Sequence, residues 1–250
     1  MHLTIGGKDM RITQPTRAGL MEEVRRRLRD GRGFRLATVN LDHLVKIAAD
    51  PAFARAYGAH ELVVADGRPV VWLSRLAGRP VELCSGSDLV LPLCRLAAAE
   101  GCAIAMIGST DETLQAAEAH LTAAVPGLRI AFRHAPPMGF DPEGPEAARL
   151  LDALAGSGAR LCFLALGAPK QEVLAARARD PAPAVGFASI GAGLDFLGGR
   201  QRRAPRWMRA LALEWLWRAM GAPRRMVPRY ARCFAILPGL AVQALRQRMG

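Results

Sequence analysis

The chain has 250 residues, 51% of them hydrophobic and 22% charged, which excludes a disordered protein and supplies enough apolar material for a substantial core. The formal net charge is +12, and residues 200–250 hold twelve arginines, no lysine and one acid, Glu214, so almost the whole excess sits in the last fifth of the sequence. Five cysteines without a Cys-x-x-Cys pair argue against a zinc site or a disulfide framework and for reduced thiols in a cytoplasmic protein.

Residues 1–16 lack the basic-then-apolar order of a secretory signal, and no apolar run reaches the roughly 18 residues that span a bilayer. Apolar spacing predicts an amphipathic helix over 17–30, stopped by Gly31 and Gly33, and then a strand over 34–40. A helix over 41–59 follows, interrupted near Asp50-Pro51, and leads to a strand over 61–66 that ends at Asp66-Gly67. Residues 68–77 read as helical, and Ser85 or Ser87 caps a longer helix over 88–100. A buried strand over 102–108, a helix over 110–124 and a strand over 128–133 come next, before a Pro/Gly loop over 134–144. A helix over 145–155, a strand over 160–166, a helix started by Pro169 and a strand over 184–191 complete the alternation.

Strands that are apolar throughout and alternate with helices predict an open, doubly wound, mostly parallel α/β sheet of the Rossmann-like kind over residues 1–199. From Gly199 onward the pattern becomes purely helical, with helices expected over 204–220 and 223–248, so residues 200–250 form an arginine-rich appendage. Arginine without lysine suits phosphate groups or anionic lipid headgroups, and Trp207, Trp215 and Trp217 suit a membrane interface. The apolar stretch 233–245 is too short to cross a bilayer and long enough to lie in its surface.

Ligands of open parallel sheets bind beyond the carboxyl ends of the strands, which directs attention to Thr38 and Asn40, Asp66, Gly108, Gly167 with Lys170 and Gln171, and Gly191 with Asp195. Asp66 fits a general base facing a cleft, with Gly67 leaving room beside it, or an aspartate that caps a turn. Lys170 faces solvent or a phosphate, and the neutral amide of Gln171 matches sugar hydroxyls or a base edge. Asp195 accepts from a sugar hydroxyl or orders its turn. The Gly191-Ala-Gly193 pair suggests a nucleotide-cofactor oxidoreductase but lacks the third glycine and follows the last strand. A third reading, a nucleic-acid clamp built on the basic tail, has no nucleic-acid motif behind it. No Asp-x-Asp is present, so no metal and no cofactor is expected.

In this order, Thr38-x-Asn40, Ala65-Asp66-Gly67, Ser85-Gly86-Ser87-Asp88-Leu89, Gly167-Ala-Pro169-Lys170-Gln171-Glu172, Gly191-Ala-Gly193-Leu-Asp195-Phe196, Arg203-Ala204-Pro205 and Glu214-Trp215-Leu216-Trp217-Arg218 resemble the motifs of the WecG/TagA/CpsF glycosyltransferases over nearly the whole chain. The resemblance implies an inverting, metal-independent transfer of a hexose or N-acetylhexosamine from a UDP-sugar, such as UDP-N-acetylmannosamine, to a polyprenyl-diphosphate-linked sugar at the inner face of the cytoplasmic membrane. It implies Asp66 as catalytic base. Thr38, Asn40, Gly67, Asp88, Lys170, Gln171 and Asp195 would line the pocket, and Arg203, Arg218, Arg224, Arg225 and Arg229 would engage the donor diphosphate. The implied partners are the UDP-sugar, the lipid-linked acceptor and an anionic membrane surface, with no nucleic acid; self-association is compatible with these. Leu83 stands where the family pattern carries an arginine.

Overall fold

The computed structural model describes residues 1–201, 203–205, 207–208 and 213–249. Its centre is a six-stranded, all-parallel sheet in the order β4-β3-β8-β7-β5-β6, formed by β3 (Phe34–Val39), β4 (Leu62–Ala65), β5 (Ala103–Gly108), β6 (Ile130–His134), β7 (Ala159–Ala165) and β8 (Gly186–Ser189). Strands β3, β4, β5 and β8 are buried along their full length, because helices cover both faces and neither row of side chains meets water. The predicted doubly wound α/β architecture is therefore the observed one.

One face carries α1 (Arg17–Arg29), α5 (Gly86–Ala99) and α6 (Asp111–Ala124), which enclose a core of Val24, Phe34, Leu93, Ile104 and Phe163. The other carries α2 (Leu41–Ala49), α3 (Pro51–Gly58), α7 (Pro145–Gly156) and α8 (Lys170–Arg177). The predicted break at Asp50-Pro51 divides α2 from α3. Asp50 ends the first and caps the second, accepting the N–H groups of Ala52 and Phe53 at 2.8 and 3.2 Å, while Pro51 takes a first-turn position that needs no donor. Of the two serines offered as caps for α5, Ser85 accepts the Asp88 N–H, so the helix starts at Gly86, two residues before the expected place.

Sequence periodicity does not predict the N-terminal hairpin of β1 (His2–Ile5) and β2 (Lys8–Arg11). Its strands are four residues each, too short for alternation to stand out, and they gain their stability by packing Leu3 and Met10 into the cluster that holds Leu44, Phe53, Leu240 and Ala244. The last two of those residues come from the C-terminal helix. After the short α9 (Gly193–Leu197), the described part of the basic tail forms α10 (Glu214–Gly221) and α11 (Pro223–Met249). The helix expected over 204–220 is seen from Glu214 onward; residues 206 and 209–212 of that span lie outside the described residues.

Helix α11 is docked on the sheet domain by polar and apolar contacts together. Asp42 of α2 pairs with both Lys46, at 2.8 Å, and Arg229, at 2.9 Å, while Gln243 and Gln247 hydrogen-bond the backbone of β1. Cys233, Leu240 and Ala244 fill the apolar side of the contact. No helix among the described residues is long and apolar enough to cross a membrane.

The strand ends rise into the cleft through tight backbone turns, and Gly108 is the tightest. Its φ is +120°, and a Cβ built there would stand 2.4 Å from the Ala165 carbonyl oxygen on the adjacent strand. Gly108→Ala is therefore expected to destabilise the fold by about 2–4 kcal/mol, from overpacking against backbone and loss of the positive φ, read as a lowered urea midpoint with an unchanged m-value.

Candidate active site

The carboxyl ends of β3 and β4 bring Asn40 and Asp66 together. The Asp66 N–H donates to the Val39 carbonyl at 2.7 Å, continuing the strand pairing by one residue, and Gly67 then turns the chain with a φ of +96° into α4 (Arg68–Leu76). The Asp66 carboxylate accepts a hydrogen bond from the Asn40 amide. Burial raises its pKa to about 6, opposed by the nearby Arg218 and helped by Glu214 and Asp88. Asn40 is itself fixed by capping α2: its Oδ1 accepts the His43 N–H at 3.1 Å, and its own N–H donates to His43 Nδ1 at 3.3 Å.

Two further carboxylates approach the same cleft, and each is held by an arginine. Asp88 accepts Arg203 Nη1 at 2.7 Å and Ser85 Oγ at 2.6 Å; burial alone would raise its pKa, but these bonds outweigh it and hold the group below the ordinary value. Glu214 accepts Arg218 Nη2 at 2.7 Å. Both guanidinium groups lie 5.8 Å from the centre of the Phe196 ring, so one aromatic side chain spaces the two cations. Arg203 Nε is buried and has no hydrogen-bond partner. Thus Asp66, bound to a neutral amide, is the one of these three carboxylates with no arginine hydrogen-bonded to it among the described residues, and its affinity for a proton is the least reduced.

The other arginines singled out in the sequence go elsewhere. Arg229 is taken up in docking α11 through Asp42, and Arg224 and Arg225 lie exposed on the first turn of α11. Lys170 is partly exposed at the start of α8. Asp195 accepts from Ser109 Oγ and from Gln201 Nε2, the latter at 2.9 Å, and so orders the loop after β5 against the segment after α9. Thr38 is buried at the end of β3, its carbonyl taking the His43 ring N–H.

Gln171 lies beneath the cleft rather than in it. It is 2% exposed, its Nε2 donates to Glu172 Oε1 at 2.8 Å, and its Oε1 accepts the Gly191 N–H at 3.2 Å. The remaining N–H and lone pair of the amide are buried with it, so in this arrangement the side chain holds the turn after β8 rather than presenting itself to the cleft. Gly191 thereby loses the free N–H that a phosphate cradle requires, and a Cβ at Gly193 would meet Ile190 Cδ1 at 2.9 Å, so this pair of glycines serves packing.

Three buried groups below the floor were not recognised in the sequence. Glu172, in the first turn of α8, is fully buried, with Oε2 unpartnered and its pKa raised to about 7 by burial. His43 Nε2 stands 3.7 Å from Glu172 Oε1, but burial drives the ring's pKa down to about 3, so it stays neutral and supplies no cation. Tyr57 stacks near His43 with its hydroxyl buried and unpartnered, and its pKa is pushed well up by burial and by the Glu172 and Asp66 charges. The Asn-x-x-His spacing of a capping box was the sequence signal that could have assigned His43. Among the described residues no three His, Cys, Asp or Glu side chains gather as a metal site needs.

The family model described as glycosyl transferase WecG/TagA/CpsF matches residues 7–250, essentially the full chain, and the protein belongs to that family. It is accordingly a glycosyltransferase of cell-surface polysaccharide biosynthesis, a class that uses a nucleotide-sugar donor and a lipid-linked acceptor. Membership sets aside the oxidoreductase reading of Gly191-Ala-Gly193.

Glu172 makes stability depend on pH in a defined direction. Its folded-state pKa of about 7 lies above its ordinary 4.5, so the folded state favours the protonated acid; that contribution is complete below about pH 4.5 and is lost as pH rises through 7. Glu172→Gln should therefore match the wild type in stability near pH 5 and exceed it by up to about 3 kcal/mol near pH 8, measured by urea unfolding at the two pH values.

Proposed function

We propose that this WecG/TagA/CpsF family member is an inverting glycosyltransferase in which Asp66 deprotonates the acceptor hydroxyl and the cleft arginines receive the departing diphosphate. The donor is a UDP-hexose or UDP-N-acetylhexosamine, and the acceptor is a sugar on a polyprenyl diphosphate at the inner membrane face. The observation that carries this reading is the contrast among three carboxylates: Asp88 and Glu214 are each bound by an arginine, whereas Asp66 is bound by an amide and has a pKa of about 6. A base so poised is ionised at neutral pH and still holds a proton well enough to take one in a transition state.

In the reaction, the acceptor oxygen attacks the anomeric carbon on the face opposite the diphosphate as its proton passes to Asp66. The bond from the anomeric carbon to the diphosphate oxygen breaks, its electron pair leaves with UDP, and the configuration inverts. Charge grows on the leaving diphosphate, and Arg218 and Arg203 stand near enough to Asp66 to feel its field, which supports their assignment as the two planar cations that receive that charge. Asn40 orients the base through its hydrogen bond, and the α2 cap keeps Asn40 from rotating away. Gln171 acts as a positioning residue that joins α8 to the turn after β8, with Gly67, Lys170 and Asp195 around the rim and Thr38 buried at the end of β3. Arg224, Arg225 and the exposed Trp207 and Trp215 serve the anionic membrane.

Asp66→Asn should reduce sugar transfer by about 10²–10⁴-fold with little change in donor binding, and should raise thermal stability at pH 7, because the variant removes a carboxylate that burial disfavours. Transfer at wild-type rates in that variant would overturn the base assignment. The kcat/KM profile of the wild type should fall on the acid side with an apparent pKa of about 6, since the ionised form of Asp66 is the active one. Arg218→Ala should raise KM for the UDP-sugar and lower kcat together, by about tenfold or more in kcat/KM, measured in steady-state assays with saturating acceptor.

A further inference from the structure

Helix α4 begins two residues after Asp66 and presents Arg68, Trp72 and Arg75 along one outward stripe, at positions i, i+4 and i+7. Trp72 is 53% exposed, an unusual position for a large aromatic side chain. It borders two concavities. On one side lies a cavity of about 640 Å³ whose cationic lining is Arg17, Arg68 and Arg75. The carboxylate in that lining, Glu82, accepts the Arg17 backbone N–H at 2.8 Å at the start of α1 and keeps its charge, so three guanidinium groups against one carboxylate leave the lining positive. Arg68 and Arg75 form no ion pair among the described residues. Leu83, which replaces the arginine of the family pattern, lines the same cavity.

On the other side of Trp72 a groove of about 520 Å³ runs between α4 and α11. Its lining is hydrocarbon: Leu73, Leu76, Phe234, Leu237 and Ala241 with the two prolines Pro69 and Pro238. Phe234 is held upright on its far side by an edge-on contact with Trp215, 5.3 Å between ring centres.

We propose that cavity and groove are one site for a single polyisoprenyl diphosphate, the diphosphate lying among Arg17, Arg68 and Arg75 and the first isoprene units lying over Trp72 into the α4–α11 groove. This rests on the reading of the protein as a transferase to a lipid-linked acceptor and adds where that lipid is held. Charge selects the headgroup: Arg68 and Arg75, which form no ion pair among the described residues, bind a dianion in the planar, forked manner that arginine favours, with Arg17, hydrogen-bonded to Cys84, completing the basic side. Shape selects the tail. The apolar side chains of α4 and α11 line an open groove that meets the basic cavity at one tryptophan, so a chain with an anionic head and a hydrocarbon tail would contact both at once. The arrangement also orients the ligand, because Asp66 and the Arg68 end of α4 are adjacent in the chain, so a sugar on the diphosphate is delivered to the base.

Binding of geranylgeranyl diphosphate to the full chain, followed by titration calorimetry below its micelle concentration, tests the site, with inorganic pyrophosphate and geranylgeraniol as the two half-ligands. The expected result is affinity for the diphosphate lipid at least tenfold above that for either half. The double variant Arg68→Ala/Arg75→Ala should weaken it tenfold or more, and Trp72→Ala should weaken it while leaving pyrophosphate unchanged. UDP binding and circular dichroism serve as checks on folding, and all three side chains are at or near the surface. Wild-type affinity in both variants, or pyrophosphate binding as tightly as the lipid, would overturn the proposal. So would variants that lose sedimentation with phosphatidylglycerol vesicles yet keep lipid-diphosphate binding, which would make this face a bilayer contact. Failure of the catalytic reading looks different: Asp66→Asn would retain transfer while the Trp72 and arginine variants still raise KM for the acceptor.

Discussion

A carboxylate without a cation is the centre of this cleft. Asp66 ends a buried strand, is aligned by a 2.7 Å backbone bond to Val39, and receives a neutral amide from Asn40. Had Arg203 or Arg218 paired with it, its pKa would have fallen and its affinity for a proton with it. The fold prevents that by giving each arginine its own acid, Asp88 for one and Glu214 for the other, and by setting both against the ring of Phe196. The cations are thus close enough to act on a leaving diphosphate and too committed to quench the base.

That arrangement needs a rigid floor, and the floor is polar and buried. The sequence of contacts runs from Asn40 through the His43 ring to Glu172, Gln171 and the Gly191 N–H, which joins the ends of β3 and β8 to the start of α8. Glu172 Oε2 and the Tyr57 hydroxyl are buried without a hydrogen-bond partner, which costs stability, and Tyr57 lies within the electrostatic reach of both Glu172 and Asp66.

The basic tail connects the cleft to the lipid side of the problem. Helix α11 shares its core with the N-terminal hairpin and α2, and the Asp42 carboxylate pairs with both Lys46 and Arg229 at the seam. Docked there, α11 supplies one wall of the apolar groove next to α4, while α10 carries Arg218 into electrostatic reach of Asp66. One helical extension therefore contributes both to the chemistry and to the surface on which a lipid is proposed to lie.

The parallel α/β layering, the helix break at Asp50-Pro51, a serine cap for α5 and the candidacy of Asp66 were legible in the sequence, because each is written within a few residues: apolar runs without alternation, a proline inside a helical pattern, a Ser before a helix, an acid followed by glycine at a strand end. The family motifs, spread over the whole chain, likewise needed no coordinates. What lay beyond reach was how polar side chains far apart in sequence divide one another. Arg203 and Asp88 are 115 residues apart, and Gln171 and Gly191 are 20 apart, so neither the pairing that leaves Asp66 free nor the inward turn of Gln171 has a local signature. The same holds for Arg68, Trp72 and Arg75, which read as an ordinary helix face until α11 closes beside them. Local pattern determines which elements form, since backbone geometry and burial act over a few residues; the chemistry of the site is decided by which charges the packed elements bring within a few ångströms, and tertiary structure alone sets that.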